Sequence, residues 1–176
     1  MTSVAVETSN NELSLDTHIL IDKWVLWAHL PHNTDWSLKS YIKIQELSTV
    51  EDVIKITNAI PEKMVKNCML FLMRKGIHPM WEDSKNVNGG CFSFKVINKD
   101  VFQIWKKLSY VLTGETLSGN EEFMEHINGV TISPKKSFCI IKIWLENLDY
   151  QNPKELTKID GLNITGCLFK KHKPTS

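Results

Sequence analysis

The sequence predicts an α+β fold: one antiparallel sheet of seven to eight strands with three helices packed on one of its faces. Three observations predict it. Strand-like runs come in pairs joined by short links, which favours antiparallel pairing. A helix-like run follows each pair, three times over, before a closing strand. The chain has 176 residues, 42% of them hydrophobic and 23% charged, which suits one domain with a sizeable core. The face without helices is left free, and curvature makes it a shallow cup.

Taken in order, residues 1–17 are rich in Ser, Thr and Asn and read as a mobile N-terminal tail, leaving 18–176 as the folded domain. Residues 23–30 (KWVLWAHL) form a first strand, apolar on both faces except at His29. Trp24 and Trp27 point to opposite faces of it, and with Trp105 they are expected to pack the core. A turn-rich loop over 31–35 leads to Trp36 at its far end. Residues 40–47 alternate apolar and polar as a second strand. Ser48 with Glu51 makes a capping-box pattern opening a helix that carries Val50, Val53, Ile54 and Ile60 and stops at Pro61. Residues 68–73 and 91–97 are the third and fourth strands. Asn98 caps a second helix with Val101, Ile104, Trp105, Leu108, Val111 and Leu112 on one stripe, and Gly114 stands at its C-cap position. After a polar, acidic stretch (115–125) come a strand at 127–132, a lysine-bearing turn at 133–137 and a strand at 138–145. Asn152-Pro153 starts a short third helix reaching to about residue 159. A last strand covers 162–169, followed by Lys170-Lys171-His172-Lys173.

Composition excludes several functions. A net charge of +1 argues against a broadly basic nucleic-acid surface, so any such contact is local. Arg74 is the only arginine. Cys68, Cys91, Cys139 and Cys167 lie far apart with no CxxC and no Cys/His pairing, so they read as reduced thiols rather than a metal site or disulfide framework. No apolar run approaches the roughly 18 residues of a membrane span, and no signal peptide opens the chain. A cytoplasmic, monomeric protein without cofactor or metal is expected. His18, His29, His32, His78, His126 and His172 are scattered and read as surface or structural residues.

The loop over 76–90, GIHPMWEDSKNVNGG, carries the chemistry. It presents Trp81 beside Glu82 between two strands, where Pro79 withholds a ladder donor and Gly89-Gly90 permits a sharp turn. Alone, the pair reads equally as a small loop cluster with a solvated carboxylate. Trp36, a second loop tryptophan, changes the reading. Two indole faces sandwich a flat ring, most strongly a cationic one. A carboxylate accepts two parallel hydrogen bonds from a donor–donor edge. Guanine alone among the bases offers that edge, and methylation at N7 makes its ring cationic. The residues fit 7-methylguanine, the base of the mRNA cap.

The chain resembles the cap-binding translation initiation factor 4E family from about His18 to Gly166. The resemblance rests on Lys23-Trp24-Val25-Leu26-Trp27, Trp36, Thr49-Val50-Glu51-Asp52, the loop from Gly76 to Asp83 with Asn86 and Gly89-Gly90, Trp105, Gly114-Glu115 and Ile143-Trp144. It implies a curved sheet with the helices on its convex back and a cap slot on the concave side. Trp36 and Trp81 would stack the base, Glu82 would pair with its donor edge, and Trp144 would lie against the N7-methyl group. The partners implied are capped mRNA and an initiation scaffold on the helical back.

Two parts of the pattern depart. Family arginines that hold the cap phosphates are replaced here by Cys91 and roughly Ser133, so lysines must serve, as point charges rather than forks. The candidates are Lys135, Lys136 and Lys171, with Lys170 or Lys173 beside the last. On the back, Val50 is kept, but Ile54 stands in place of a tryptophan, and Lys106-Lys107 in place of an exposed leucine. The docking groove is therefore expected to be smaller and more basic, fitted to a divergent scaffold. The resulting expectation is a non-enzymatic initiation factor that recruits capped mRNA. The alternative is a cap-binding competitor or repressor that does not engage the usual scaffold.

Overall fold

The structure, a computed structural model, describes residues 17–174. The expected tail, except Thr17, lies outside the described residues. Seven antiparallel strands form one curved sheet: β1 (Ile19–His29), β2 (Tyr41–Thr49), β3 (Met69–Arg74), β4 (Gly90–Ile97), β5 (Ile127–Pro134), β6 (Phe138–Leu145) and β7 (Leu168–Lys171). Their order is β2-β1-β3-β5-β6-β4-β7. The helices are α1 (Val50–Ala59), α2 (Glu62–Asn67), α3 (Asn98–Thr113) and the single-turn α4 (Glu121–Glu125). None of them is long and apolar enough to cross a membrane.

Alternation along the strands separates two faces. Trp24, Leu26, Leu70, Leu72, Phe92, Phe94, Val130, Ile132, Ile141 and Ile143 point to the helices and, with Trp105 of α3, make the main core. On the opposite face Phe71, Met73, Ile77 and Trp144 form a smaller cluster, with Trp27 and Tyr41 packed against it. Trp27 thus lines the cup rather than the main core, as the odd spacing from Trp24 requires.

Several elements differ from the sequence expectation. The capping box is formed by Thr49 and Asp52: the Thr49 side chain accepts from Asp52 N at 3.0 Å, and Asp52 Oδ2 accepts from Thr49 N at 3.0 Å. Because β2 still pairs through Thr49 with Ile19, the helix opens one residue later than Ser48 would set it. Glu51 instead accepts from the His18 backbone N–H at 3.1 Å. Pro61 both ends α1 and starts α2, a helix too short to show periodicity, which buries Val65. Asn98 does not cap α3; its side-chain Oδ1 accepts from Cys139 Sγ at 3.6 Å.

Gly114 keeps a negative φ, and the left-handed residue is Glu115 (φ 58). Its carboxylate is held by the Arg74 guanidinium, at 2.7 Å from Nη2, which fixes a conformation glycine would otherwise supply. The expected third helix is only a 3₁₀ turn, Pro153–Glu155. The chain beyond it pairs with residues 116–118 instead: Thr157 N donates to Leu117 O at 2.7 Å, and Ser118 Oγ to Glu155 O at 2.8 Å. The last strand begins at Leu168 rather than 162, because Asn163 caps a 3₁₀ turn over Ile164–Gly166. The helical layer is therefore α1, α2 and α3, with α4 adding buried Phe123 and Met124.

Candidate functional site

Register places the residues of the free face in rows across the sheet. One row runs Lys170, Cys91, Trp144, Gly129, Met73 and Val25. The next holds Ser93, Lys142, Thr131, Phe71 and Trp27, and a third holds Met69, His29 and Tyr41. A Cβ at Gly129 would overlap the Leu72 carbonyl and the Met73 sulfur, so only glycine fits beside Trp144 in that row. Apolar Phe71, Met73 and Trp144 therefore floor a cup whose walls come from two loops.

The first wall carries Trp36. Its ring stacks on His29 with centroids 3.9 Å apart and planes 3° off parallel. His29 is held by a 2.8 Å contact between Nε2 and the Asp35 carbonyl. Tyr41 closes the edge, 6.4 Å from the Trp36 ring. Trp36 remains 52% exposed, so one indole face is backed by imidazole and the other is open. A cavity of about 650 Å³ lies beside it, lined by His29, Trp36, Lys66, Met69, Pro134 and Lys135 among others.

The second wall is the loop between β3 and β4. Asn86, fully buried, is its hub. Asn86 Nδ2 donates to the carbonyls of His78 (3.1 Å) and Met80 (2.8 Å), while its Oδ1 accepts from Asn128 Nδ2 at 2.9 Å. Asp83 accepts from the backbone N–H groups of His78 and Lys85, both at 2.9 Å. Ile77 anchors the loop to the floor cluster. A Cβ at Gly89 would collide with the Leu145 carbonyl, so the loop returns to the sheet only through glycine. Trp81 and Glu82 sit exposed at the crest of this bonded frame. Burial, and secondarily the charge of Glu82, pushes the Tyr41 phenol up. Cutting the hub has a stated effect: Asn86→Ala leaves buried partners unbonded and should cost about 1–3 kcal/mol in urea unfolding. Unfolding at an unchanged urea concentration would remove Asn86 from that role.

The floor cluster joins Trp144 to Ile77, at the root of the loop that carries Trp81 and Glu82, and Trp36 stands at the His29–Tyr41 end of the same face. Trp144 is 8% exposed, and its ring lies 4.9 Å from that of His172. The candidate lysines divide. Lys135 lines the cavity beside Trp36, and Lys136 stands exposed next to it in the β5–β6 turn. Lys171 pairs with Gly90 and belongs to the helix-side register, whereas Lys170 shares the row of Trp144. Sequence reasoning missed His29 as the backing of Trp36, Tyr41 and the Asn86–Asn128 pair. The signal for His29 was present: it is the one polar residue in the run 24–30. The others depend on register between distant strands.

On the helical back, Leu20, Val50, Val53, Ile54, Tyr110, Thr113 and Gly114 line an apolar groove of about 500 Å³. Val50 and Ile54 are 40% and 45% exposed there, so of the stripe expected to face the core only Val53 and Ile60 reach it. Lys106 does not line the groove; its ammonium lies 4.7 Å above the Phe102 ring, and Lys107 reaches Asp160 at 3.8 Å. The groove is accordingly apolar rather than basic.

A family model described as eukaryotic initiation factor 4E matches residues 19–173. The chain belongs to that family. Its relatives include initiation factor 4E of Eremothecium gossypii, 33% identical over 138 residues that cover 74% of this chain and 64% of that protein. Initiation factor 4E-2 of Schizosaccharomyces pombe is 28% identical over 170 residues, covering 90% of this chain and 65% of that one. The matched part is thus less than two thirds of each of these relatives' lengths. Among solved folds, C. elegans eIF4E-3, in complex with the 4E-binding protein Mextli and a cap analog, superposes with a TM-score of 0.74 at 22% identity, covering 89% of this chain and 93% of that one. Ascaris suum eIF4E-3 with an m2,2,7G cap gives 0.71 at 21%, covering 91% and 94%. The 4E fold therefore holds, and with it the curved sheet with helices on its back.

Proposed function

We propose that this chain binds the 7-methylguanosine cap of mRNA and acts in the cytoplasm, as a monomer and without catalysis, as an initiation factor recruiting capped mRNA. The observation that carries the reading is the braced loop that exposes Trp81 and Glu82 over the cup holding Trp36 and Trp144. Trp36, backed by His29, and Trp81 stack the methylated base from its two sides, and cation–π attraction favours the charged ring over guanine. Glu82 takes the two donors of the base edge, and Trp144 lies against the methyl group. Lysines neutralise the phosphate chain, with Lys135 and Lys136 as the hairpin candidates; Lys171, whose register puts it on the helix side of the sheet, is set aside.

The apolar groove at Val50 and Ile54 supports the recruiting role over the repressor alternative. A partner helix presenting apolar side chains buries itself there at about 25 cal/mol per Å², and Lys106 acts only at the margin of that docking face. The relatives' complexes with 4E-binding proteins and cap analogs support the same pairing of ligand and partner.

Retention on cap resin from a native lysate tests both halves. The protein should elute with 7-methylguanosine triphosphate but not with GTP, together with a scaffold whose co-elution is lost in Ile54→Asp. Elution by GTP at the same concentration contradicts cap recognition. Specific retention without a scaffold favours the repressor.

A further inference from the structure

We infer that His29 is a positioning residue of the base clamp, the inner layer of a stack that holds a cationic base well only while the imidazole is neutral. The inference rests on the cap-binding reading above and adds to it the residue that sets the clamp's preference for charge. Hydrogen bonding fixes the proton first. His29 Nε2 lies 2.8 Å from the Asp35 carbonyl oxygen, which can only accept, so Nε2 donates and the neutral ring is bare at Nδ1. The same bond ties the loop that carries Trp36 to β1.

The ring is confined by aromatic neighbours. Trp36 lies flat on it, 3.9 Å between centroids and 3° off parallel, and Tyr41 meets it edge-on at 5.2 Å. Phe71 of the cup floor meets Tyr41 in turn at 5.4 Å. His29 is 2% exposed and Trp36 is 52% exposed, so the histidine fills the inner side of the indole and leaves the outer side to a ligand. A flat base stacked there sits two layers from the imidazole, with the indole between them.

The surroundings of His29 offer a second proton no ion-pair partner. His18, His78 and His126 each have a carboxylate within 3.2 Å. Among the described residues, no carboxylate lies within ion-pair distance of the His29 ring. The Asp35 carboxylate turns instead to the Ser37 N–H, at 2.8 Å. The other titratable groups around the ring are His32 of the same loop, Tyr41 of β2, and Lys66 and Lys135, which line the same cavity from α2 and the β5–β6 turn. Its β3 partner, Met69, is apolar.

A proton at Nδ1 changes what Trp36 can bind. The two faces of an indole draw on one π system. An imidazolium on the inner face engages the quadrupole that attracts a cationic base on the outer face, and the two cations also repel across the ring. By linkage, protonation of His29 and binding of the cationic base oppose each other equally. A neutral base meets only the stack. Preference for the methylated base therefore falls as pH falls through the range of roughly 5 to 8 in which imidazoles titrate.

Tryptophan fluorescence titration with 7-methylguanosine triphosphate and with GTP, from about pH 5 to about pH 8, tests this on the full chain, His29→Phe and His29→Gln. The readout is the ratio of the two dissociation constants, in which phosphate contacts cancel. His29→Phe keeps a stacked ring that does not titrate, so it carries the titration of the ligands and of Glu82. Toward low pH the ratio should fall about fivefold further in the parent than in His29→Phe. His29→Gln keeps a donor for the Asp35 carbonyl but no ring face, and should weaken both nucleotides about fivefold at the upper end of the range. Parallel pH profiles in the parent and His29→Phe overturn the inference, even where the methylated nucleotide is strongly preferred. Undiminished binding by His29→Gln overturns the positioning role. A ratio near one at every pH in the parent contradicts the cap-binding reading itself, and the inference with it.

Discussion

Trp81→Ala and Glu82→Ala should each lower affinity for a 7-methylguanosine cap by about 2–4 kcal/mol, on the order of 30- to 1,000-fold. The size follows from what each group contributes. Removing Trp81 leaves the cationic ring with one indole face instead of two and opens the slot to water. Removing Glu82 leaves two base donors facing an apolar cup without an acceptor, the costly half of a broken hydrogen bond. Both side chains are exposed in the structure and take no part in the loop's bonding frame, which is built by Asn86, Asp83 and Asn128. Thermal unfolding should therefore stay within about 0.5 kcal/mol of the parent. Titration of each variant checks the claim, and either variant binding the cap within threefold of the parent would remove its residue from the site.

The largest effect on stability is expected at Arg74, on the other side of the sheet. Its side chain is 11% exposed, reaches Glu115 (13% exposed) and Asp22, donates through Nε to the Ile127 carbonyl at 2.8 Å, and lies 4.5 Å over the Trp24 ring. One residue thus ties β3 to β1, to β5 and to the turn after α3. Arg74→Met keeps the stem but strands the Glu115 carboxylate in a half-closed, low-dielectric site. Breaking such a pair from one side costs about 3–5 kcal/mol. Urea unfolding measures it. Because Glu115 is then the aggravating charge, adding Glu115→Gln to Arg74→Met should recover part of the loss. A cost below about 1 kcal/mol in the single variant would show that the pair is solvated and contributes as a surface bridge does.

The fold was legible in the sequence wherever an element is long and its pattern local. The strands over 91–97 and 138–145 and the stripe of α3 follow from alternation and from 3.6-residue spacing. Short elements were not legible. Pro61 is equally the end of one helix and the start of another, and only the burial of Val65 decides it. Glu115 adopts a left-handed conformation because Arg74, 41 residues away in sequence, grips it. Residues 156–159 carry a helical spacing, but the Thr157 N–H donates to the Leu117 carbonyl and its hydroxyl to the Thr116 carbonyl instead.

The candidate site divides along the same line. Trp36, Trp81 and Glu82 stand out because a tryptophan on a polar loop contradicts its usual burial. His29 and Tyr41 carry no such local anomaly strong enough to identify them. They meet through the β1–β2 ladder, so their place beside Trp36 shows only once the register is known. The docking groove shows the reverse case. Lys106-Lys107 suggested a basic surface, yet Phe102 and Asp160 draw those charges aside and leave Val50 and Ile54 exposed in an apolar channel.

The central claim is that this cup selects a methylated, cationic guanine, and the ratio of two dissociation constants tests it most directly. Tryptophan fluorescence quenching by 7-methylguanosine triphosphate and by GTP, measured on the same protein at the same ionic strength, gives that ratio with the phosphate contribution cancelled. The methylated nucleotide should bind at least about tenfold more tightly, as expected from a desolvated cation–π stack worth about 2 kcal/mol or more. Equal constants for the two nucleotides would contradict it.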